Sequence, residues 1–147
     1  MRIDFITIFP RMFDAFLAEG VIARGIKQSR LDVRVWDLRD FATDKHRSTD
    51  DEAYGGGPGM VMLAEPVFRC VEAIGGTPRL ILTSPQGRRF EQSTAKELAT
   101  NEHLAFLCGR YEGFDQRVID ELQPEEISIG DFVVSGGELP AMLIADA

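Results

Sequence analysis

Cysteine is scarce in this 147-residue chain: Cys70 and Cys108 are the two present, and no C-x-x-C pair occurs. A disulfide scaffold is excluded, and because each thiol sits in an apolar run both are expected buried and reduced, as in a cytosolic protein. Histidine is equally sparse. His46 and His103 have no partner at metal-ligand spacing, so no zinc site is expected. No uninterrupted apolar stretch approaches the roughly 18–20 residues of a membrane span, which excludes insertion. The opening Met1-Arg2-Ile3-Asp4-Phe5 carries an acid inside its first apolar run and no small-residue cleavage site follows, unlike a secretory signal.

Positive charge is also short, at 16 Lys+Arg against 24 Asp+Glu for a net charge of −8. A chain that gripped nucleic acid over its whole surface would be basic. The deficit is uneven. Residues 1–50 hold nine bases and eight acids, whereas from Tyr111 onward Arg117 is the single base among nine acids. Polyanion contact must therefore be local, with Lys45-His46-Arg47, Arg88-Arg89 and Arg110 as candidates, although on composition alone exposed loop charge is the more ordinary reading of Lys45-His46-Arg47 and Arg88-Arg89.

Several catalytic signatures are missing. There is no G-K-[ST] phosphate loop, Ser135 lacks the glycine two residues before it that a nucleophile elbow needs, and the Gly55–Gly59 run lacks the third glycine of a dinucleotide fingerprint. What is present is a core. With 44% hydrophobic residues, a single domain of this length should bury roughly two-thirds of its unfolded surface.

Residues 3–9, β-branched and aromatic, read as a strand ended by Pro10; Met12, Phe13, Phe16 and Leu17 form a helical stripe ending at Gly20. A second short helix over residues 21–28 leads to a strand at 31–36. The pattern then vanishes from Arg39 to Gly59, a loop long enough to be functional or disordered. Its end, Tyr54-Gly55-Gly56-Gly57-Pro58-Gly59, fits either a hinge or a loop that lets backbone approach a substrate. A short strand at 60–63 and a helix at 65–74 follow. Apolar runs at 79–83, 103–108 and 126–129, separated by helical segments at 90–99 and 114–122, imply an α/β fold with a parallel sheet and flanking helices. Another helix begins at Glu138 and lacks a C-cap at Ala147, as if the chain were cut inside an element.

The three apolar runs end in Ser84-Pro85-Gln86-Gly87, in Gly109-Arg110-Tyr111-Glu112-Gly113 and in Gly130-Asp131. Ligands of parallel sheets bind beyond the carboxyl ends of the strands, where such turns converge. Each glycine alone is explained by turn-making. Three such turns on one edge favour a backbone cradle for a flat ring such as adenine, and Glu112 and Asp131 at the rim would suit a cationic ligand such as a sulfonium.

These motifs, with His46-Arg47, Asp50-Asp51, the 54–60 glycine run and Ser128-Ile129-Gly130-Asp131-Phe132-Val133-Val134-Ser135-Gly136-Gly137-Glu138-Leu139-Pro140-Ala141, resemble the bacterial tRNA (guanine-N(1)) methyltransferases over all 147 residues. The resemblance implies a SPOUT fold with a deep trefoil knot in its C-terminal part, S-adenosylmethionine as methyl donor, a cytoplasmic homodimer and a need for magnesium. The substrate implied is the guanosine 3′-adjacent to the tRNA anticodon. Carried over by motif, the cofactor site would comprise Leu82, Ser84, Pro85, Gly109, Tyr111, Glu112, Ser128, Ile129, Gly130, Asp131, Phe132, Val133, Val134, Gly136, Gly137 and Pro140. RNA contacts are expected at Lys45, His46, Arg47, Asp50, Gly59 and Arg110. Glu112 is expected in a supporting catalytic role, and the general base in a linker and helical domain that family members carry after the point matching Ala147. On this reading residues 1–147 form the S-adenosylmethionine-binding domain and are inactive alone. The alternative is a non-catalytic dimeric module that binds S-adenosylmethionine or RNA.

Overall fold

The computed structural model describes residues 1–53 and 57–147. Tyr54, Gly55 and Gly56 of the glycine-rich loop lie outside the described residues. The chain opens with β1 (Arg2–Thr7), a 3-10 turn at Pro10–Phe13, α1 (Asp14–Ala18), α2 (Gly20–Lys27) and β2 (Asp32–Asp37). A hairpin of β3 (Asp50–Glu52) and β4 (Met60–Met62) precedes α3 (Ala64–Ile74). Then come β5 (Arg79–Arg89), α4 (Gln92–Leu98), β6 (His103–Leu107), α5 (Gln116–Leu122), β7 (Glu125–Ser128) and α6 (Glu138–Asp146).

Five strands form one sheet in the order β2-β1-β6-β5-β7, and every pairing in it is parallel. Helices cover both faces, so a central strand is apolar on both sides and reads as a continuous run. In β1, Ile3 and Phe5 join Phe13, Ile81 and Phe106 on one face. Ile6 points to the other, with Leu38, Met62, Val67 and Leu107. The Phe5 ring stacks on Phe106 at 5.3 Å and lies 4.5 Å from Phe13. Each such side chain contributes about 1.5–3 kcal/mol through burial.

Asp4 interrupts this apolar pattern and is fully buried. It is satisfied there by Trp36 Nε1 at 2.7 Å, by His103 Nε2 at 2.6 Å and by the Arg2 guanidinium. The cluster sits at the amino end of the sheet, away from the site described below.

Three local expectations are corrected. The stripe from Met12 to Leu17 is not one helix: Met12 and Phe13 lie in the 3-10 turn, and an extended Glu19 separates α1 from α2. The 39–59 stretch is not featureless, because Leu38–Phe41 form a 3-10 turn and β3 pairs antiparallel with β4. The acidic Asp50-Asp51-Glu52 has low strand propensity; the ladder to Met60–Met62 holds it extended. Finally, Ser84-Pro85-Gln86-Gly87 does not end β5. Thr83 and Arg88 both stand opposite Ile127, so residues 84–87 form a bulge within β5, with Gly87 packed on the Glu126–Ile127 backbone, and pairing resumes against the same partner.

Candidate functional site

The bulge within β5 and the carboxyl ends of β6 and β7 meet at a cleft of about 480 Å³, within the size range of small-molecule sites. The 84–87 excursion forms one wall, the loop from Gly109 to Phe114 a second, and the 129–137 loop with the start of α6 a third. Main-chain contact joins the last two: Gly137 N donates to Gly109 O at 2.8 Å, and Arg110 bridges Gly136. Thr83 Oγ1 donates to Gly137 O at 3.1 Å and so ties in β5. A Cβ on Gly137 would overlap that hydroxyl and lie 2.8 Å from Cys108 Cα, so only glycine lets these backbones approach.

The second wall rests on β4. Met62 N donates to Gly113 O and Asp115 N to Met62 O, both at 2.8 Å, and Glu112 N donates to Met60 O at 3.0 Å. Tyr111 takes a left-handed φ of 57° there, an unfavourable conformation for a residue with a Cβ and one that tends to mark functional loops. Asp115 then caps α5 by accepting from Arg117 N at 2.9 Å. The Arg117 guanidinium holds its carboxyl below the ordinary carboxylate range.

Fourteen of the sixteen expected cofactor residues line this cleft. The exceptions are Gly130, which is buried against the Phe132 ring, and Asp131, which is exposed in the same loop. Glu126 on β7 supplies the second acidic side chain of the lining beside Glu112. Gln116 and Ile119 of α5 also line it, and nothing in their spacing marked them.

The residues expected to meet RNA are spread more widely. Lys45 and His46 are exposed, while Arg47 is paired with Asp40 and donates to Arg39 O. Gly59, at φ 100°, packs so closely on Glu112 that a Cβ there would lie 2.6 Å from its Cγ. Asp50 is half-buried at the start of β3. Arg110 lines the cleft, but Nε donates to Glu138 Oε2 at 2.9 Å and Nη1 to Ser135 O at 3.2 Å. Of the other basic candidates, Arg88 is held by Glu97 and Glu125.

The family model for "tRNA (Guanine-1)-methyltransferase TrmD" matches residues 1–147. The chain belongs to the tRNA (guanine-1)-methyltransferase family. Curated relatives named tRNA (guanine-N(1)-)-methyltransferase agree: that of Moorella thermoacetica is 54% identical over 152 residues, 100% of this chain and 61% of its own. The Thermosipho africanus protein is 52% identical with 100% and 61% coverage, and the Bacillus licheniformis protein 49% with 100% and 62%. The chain thus spans about three-fifths of the length of these methyltransferases. The three segments that wall the cleft fall within the matched region.

Proposed function

We propose that the protein of which this chain forms the donor-binding domain transfers a methyl group from S-adenosylmethionine to N(1) of the guanosine 3′-adjacent to the tRNA anticodon. The supporting observation is the cleft itself, walled by the bulge within β5 and the loops after β6 and β7 and closed by the Gly137 backbone contact. Its residues suit the donor. Glu112 and Glu126 line it, and Arg110, the cation beside them, is neutralised by Glu138. That leaves a negative site for a sulfonium. Leu82, Pro85, Phe132 and Val134 supply apolar lining for an adenosyl group.

S-adenosylmethionine, when bound, supplies a methyl carbon made electrophilic by the adjoining sulfonium. Guanine N(1) carries a proton at neutral pH and attacks only after losing it to a base within about 3 Å. Glu112 is exposed on the cleft rim, propped by Gly59, and we assign it the supporting role, with the general base supplied from another part of the whole protein. Phe132, Val133 and Val134 would cover the reacting atoms and limit water. The magnesium ion implied by the resemblance finds no cage, since among the described residues no three His, Cys, Asp or Glu side chains cluster. No step is assigned to a metal.

Lys45, His46 and Arg47, with Asp50 and Gly59 beside the cleft loop, form the proposed RNA side of this chain. A splayed anticodon loop costs less to open than a duplex. The proposed assembly is a homodimer. Leu139 and Leu143, one turn apart on α6, are 56% and 47% exposed, and α6 packs beside the Pro10–Phe13 turn, whose Met12 is also exposed. The trefoil knot belongs to the same proposal; it is supported by the start of α6 entering against the ends of β1 and β6 and the middle of β5 through Thr7, Gly109 and Thr83. No described helix is long and apolar enough to cross a membrane, and a tRNA substrate would set the enzyme in the cytoplasm.

The test is methyl transfer by the complete protein from labelled S-adenosylmethionine to a tRNA transcript, with the modified position read by primer-extension arrest. Arrest at the guanosine after the anticodon, lost when that base is adenosine, is expected. Donor binding without transfer would favour the non-catalytic module.

A further inference from the structure

Glu138 is fully buried, and its two oxygens serve different segments. Oε2 accepts from Arg110 Nε at 2.9 Å, and Oε1 accepts from Thr7 Oγ1 at 2.7 Å. Thr7 Oγ1 in turn accepts from Phe9 N at 2.9 Å. Arg110 also donates to Ser135 O, and its guanidinium lies 4.6 Å from the Phe9 ring centroid. One carboxylate therefore ties together the end of β1, the loop after β6 and the start of α6.

Two of those segments are walls of the cleft, and they cross where Arg110 bridges Gly136. Burying an ion pair carries a large desolvation cost, and apolar packing of similar volume is often as stable or more so. Packing alone thus gives no reason for a carboxylate here. Directional bonds do, because they fix where the two walls stand. The Arg110 side chain is 16% exposed, and Nη2 is turned to Met12 Sδ. Engaging a phosphate would require it to abandon Glu138.

We infer that Arg110 and Glu138 are a positioning pair that sets the spacing of the two walls of the methyl-donor cleft, and that Arg110 acts on donor binding through Glu138 rather than by touching RNA. The inference rests on the donor reading above. Glu138 does no chemistry on either substrate. Glutamine keeps its volume but cannot accept from both Arg110 and Thr7, because its amide nitrogen presents hydrogens to one of them.

The experiment compares Glu138→Gln, Arg110→Met and the double variant in the complete protein, measuring Kd for S-adenosylmethionine by calorimetry, Kd for tRNA, and melting temperature. Each single variant is expected to weaken donor binding about tenfold or more, the scale of one charge-assisted hydrogen bond. Affinity for tRNA should stay within about twofold, and the double variant should be no worse than the poorer single one, as for residues acting as a unit. Unchanged donor affinity in Glu138→Gln, whatever its melting temperature, overturns the pair, as do additive effects. Weakened tRNA binding in Arg110→Met with donor binding intact also overturns it. If Glu138→Gln does not fold, Thr7→Val removes one partner only and should still weaken the donor several-fold; no change there is equally fatal. Failure of the unaltered protein to bind the donor would instead remove the functional reading underneath.

Discussion

Thr83 and Gly137, 54 residues apart, meet through a hydrogen bond from the Thr83 hydroxyl to the Gly137 carbonyl at 3.1 Å. The approach leaves no room for a side chain on Gly137. Gly137→Ala would push β5, Cys108 and the start of α6 apart. A loss of about 1–3 kcal/mol is expected from such overpacking, checked by urea unfolding, together with weaker binding of S-adenosylmethionine. Unchanged stability would show that the crossing is loose.

Asp115 caps α5 and is ion-paired with Arg117. Its folded-state pKa is lowered, chiefly by the hydrogen bond from Arg117. The ionised group therefore stabilises the fold above its unfolded-state value, and that contribution is lost as the pH falls through the lower folded-state value. Asp115→Ala should cost about 1 kcal/mol at pH 7, typical of a lost N-cap. The gap between variant and parent should narrow in strong acid, as unfolding curves at the two pH values will show.

Both thiols are buried. Burial, reinforced by the Asp4 charge, pushes Cys70 up to about 12, and burial with the Glu138 charge pushes Cys108 well up. The thiolate is the reactive form. Native protein at pH 8 should leave both unmodified by iodoacetamide over hours, with two alkylations appearing in denaturant by mass spectrometry. Rapid native labelling of Cys108 would mean that the strand end opens.

Leu143 is half-exposed on α6. If a second copy covers it, Leu143→Glu should shift sedimentation from dimer to monomer at micromolar concentration with little effect on helix content. A protein that sediments identically before and after the change would place the interface elsewhere.

Much of this fold was legible in the residues. β1 and β6 read as strands because central parallel strands bury both faces, and the continuous runs around Phe5 and Phe106 follow from that. The loops after β6 and β7 were legible because glycine punctuates strand ends, whereas Ser84-Pro85-Gln86-Gly87 read as a strand end and is a bulge. Partnership across the chain was hidden. β3 is strand only through β4, and β5 continues past Pro85 only because β7 is there to receive Arg88 and Arg89. Glu138 reads as an ordinary first-turn acid; its burial depends on Arg110 and Thr7 arriving from 28 and 131 residues away.

The detour between Thr83 and Arg88 carries one more implication. Since the strand picks up again opposite Ile127, where it left off, Ser84, Pro85 and Gln86 hold no place in the ladder, whereas a Cβ on Gly87 would lie 2.4 Å from the Glu126 carbonyl carbon, which keeps that position glycine. Those three residues line the cleft, so selectivity toward the bound small molecule can be re-tuned at 84–86 with Gly87 kept and the strands left in register.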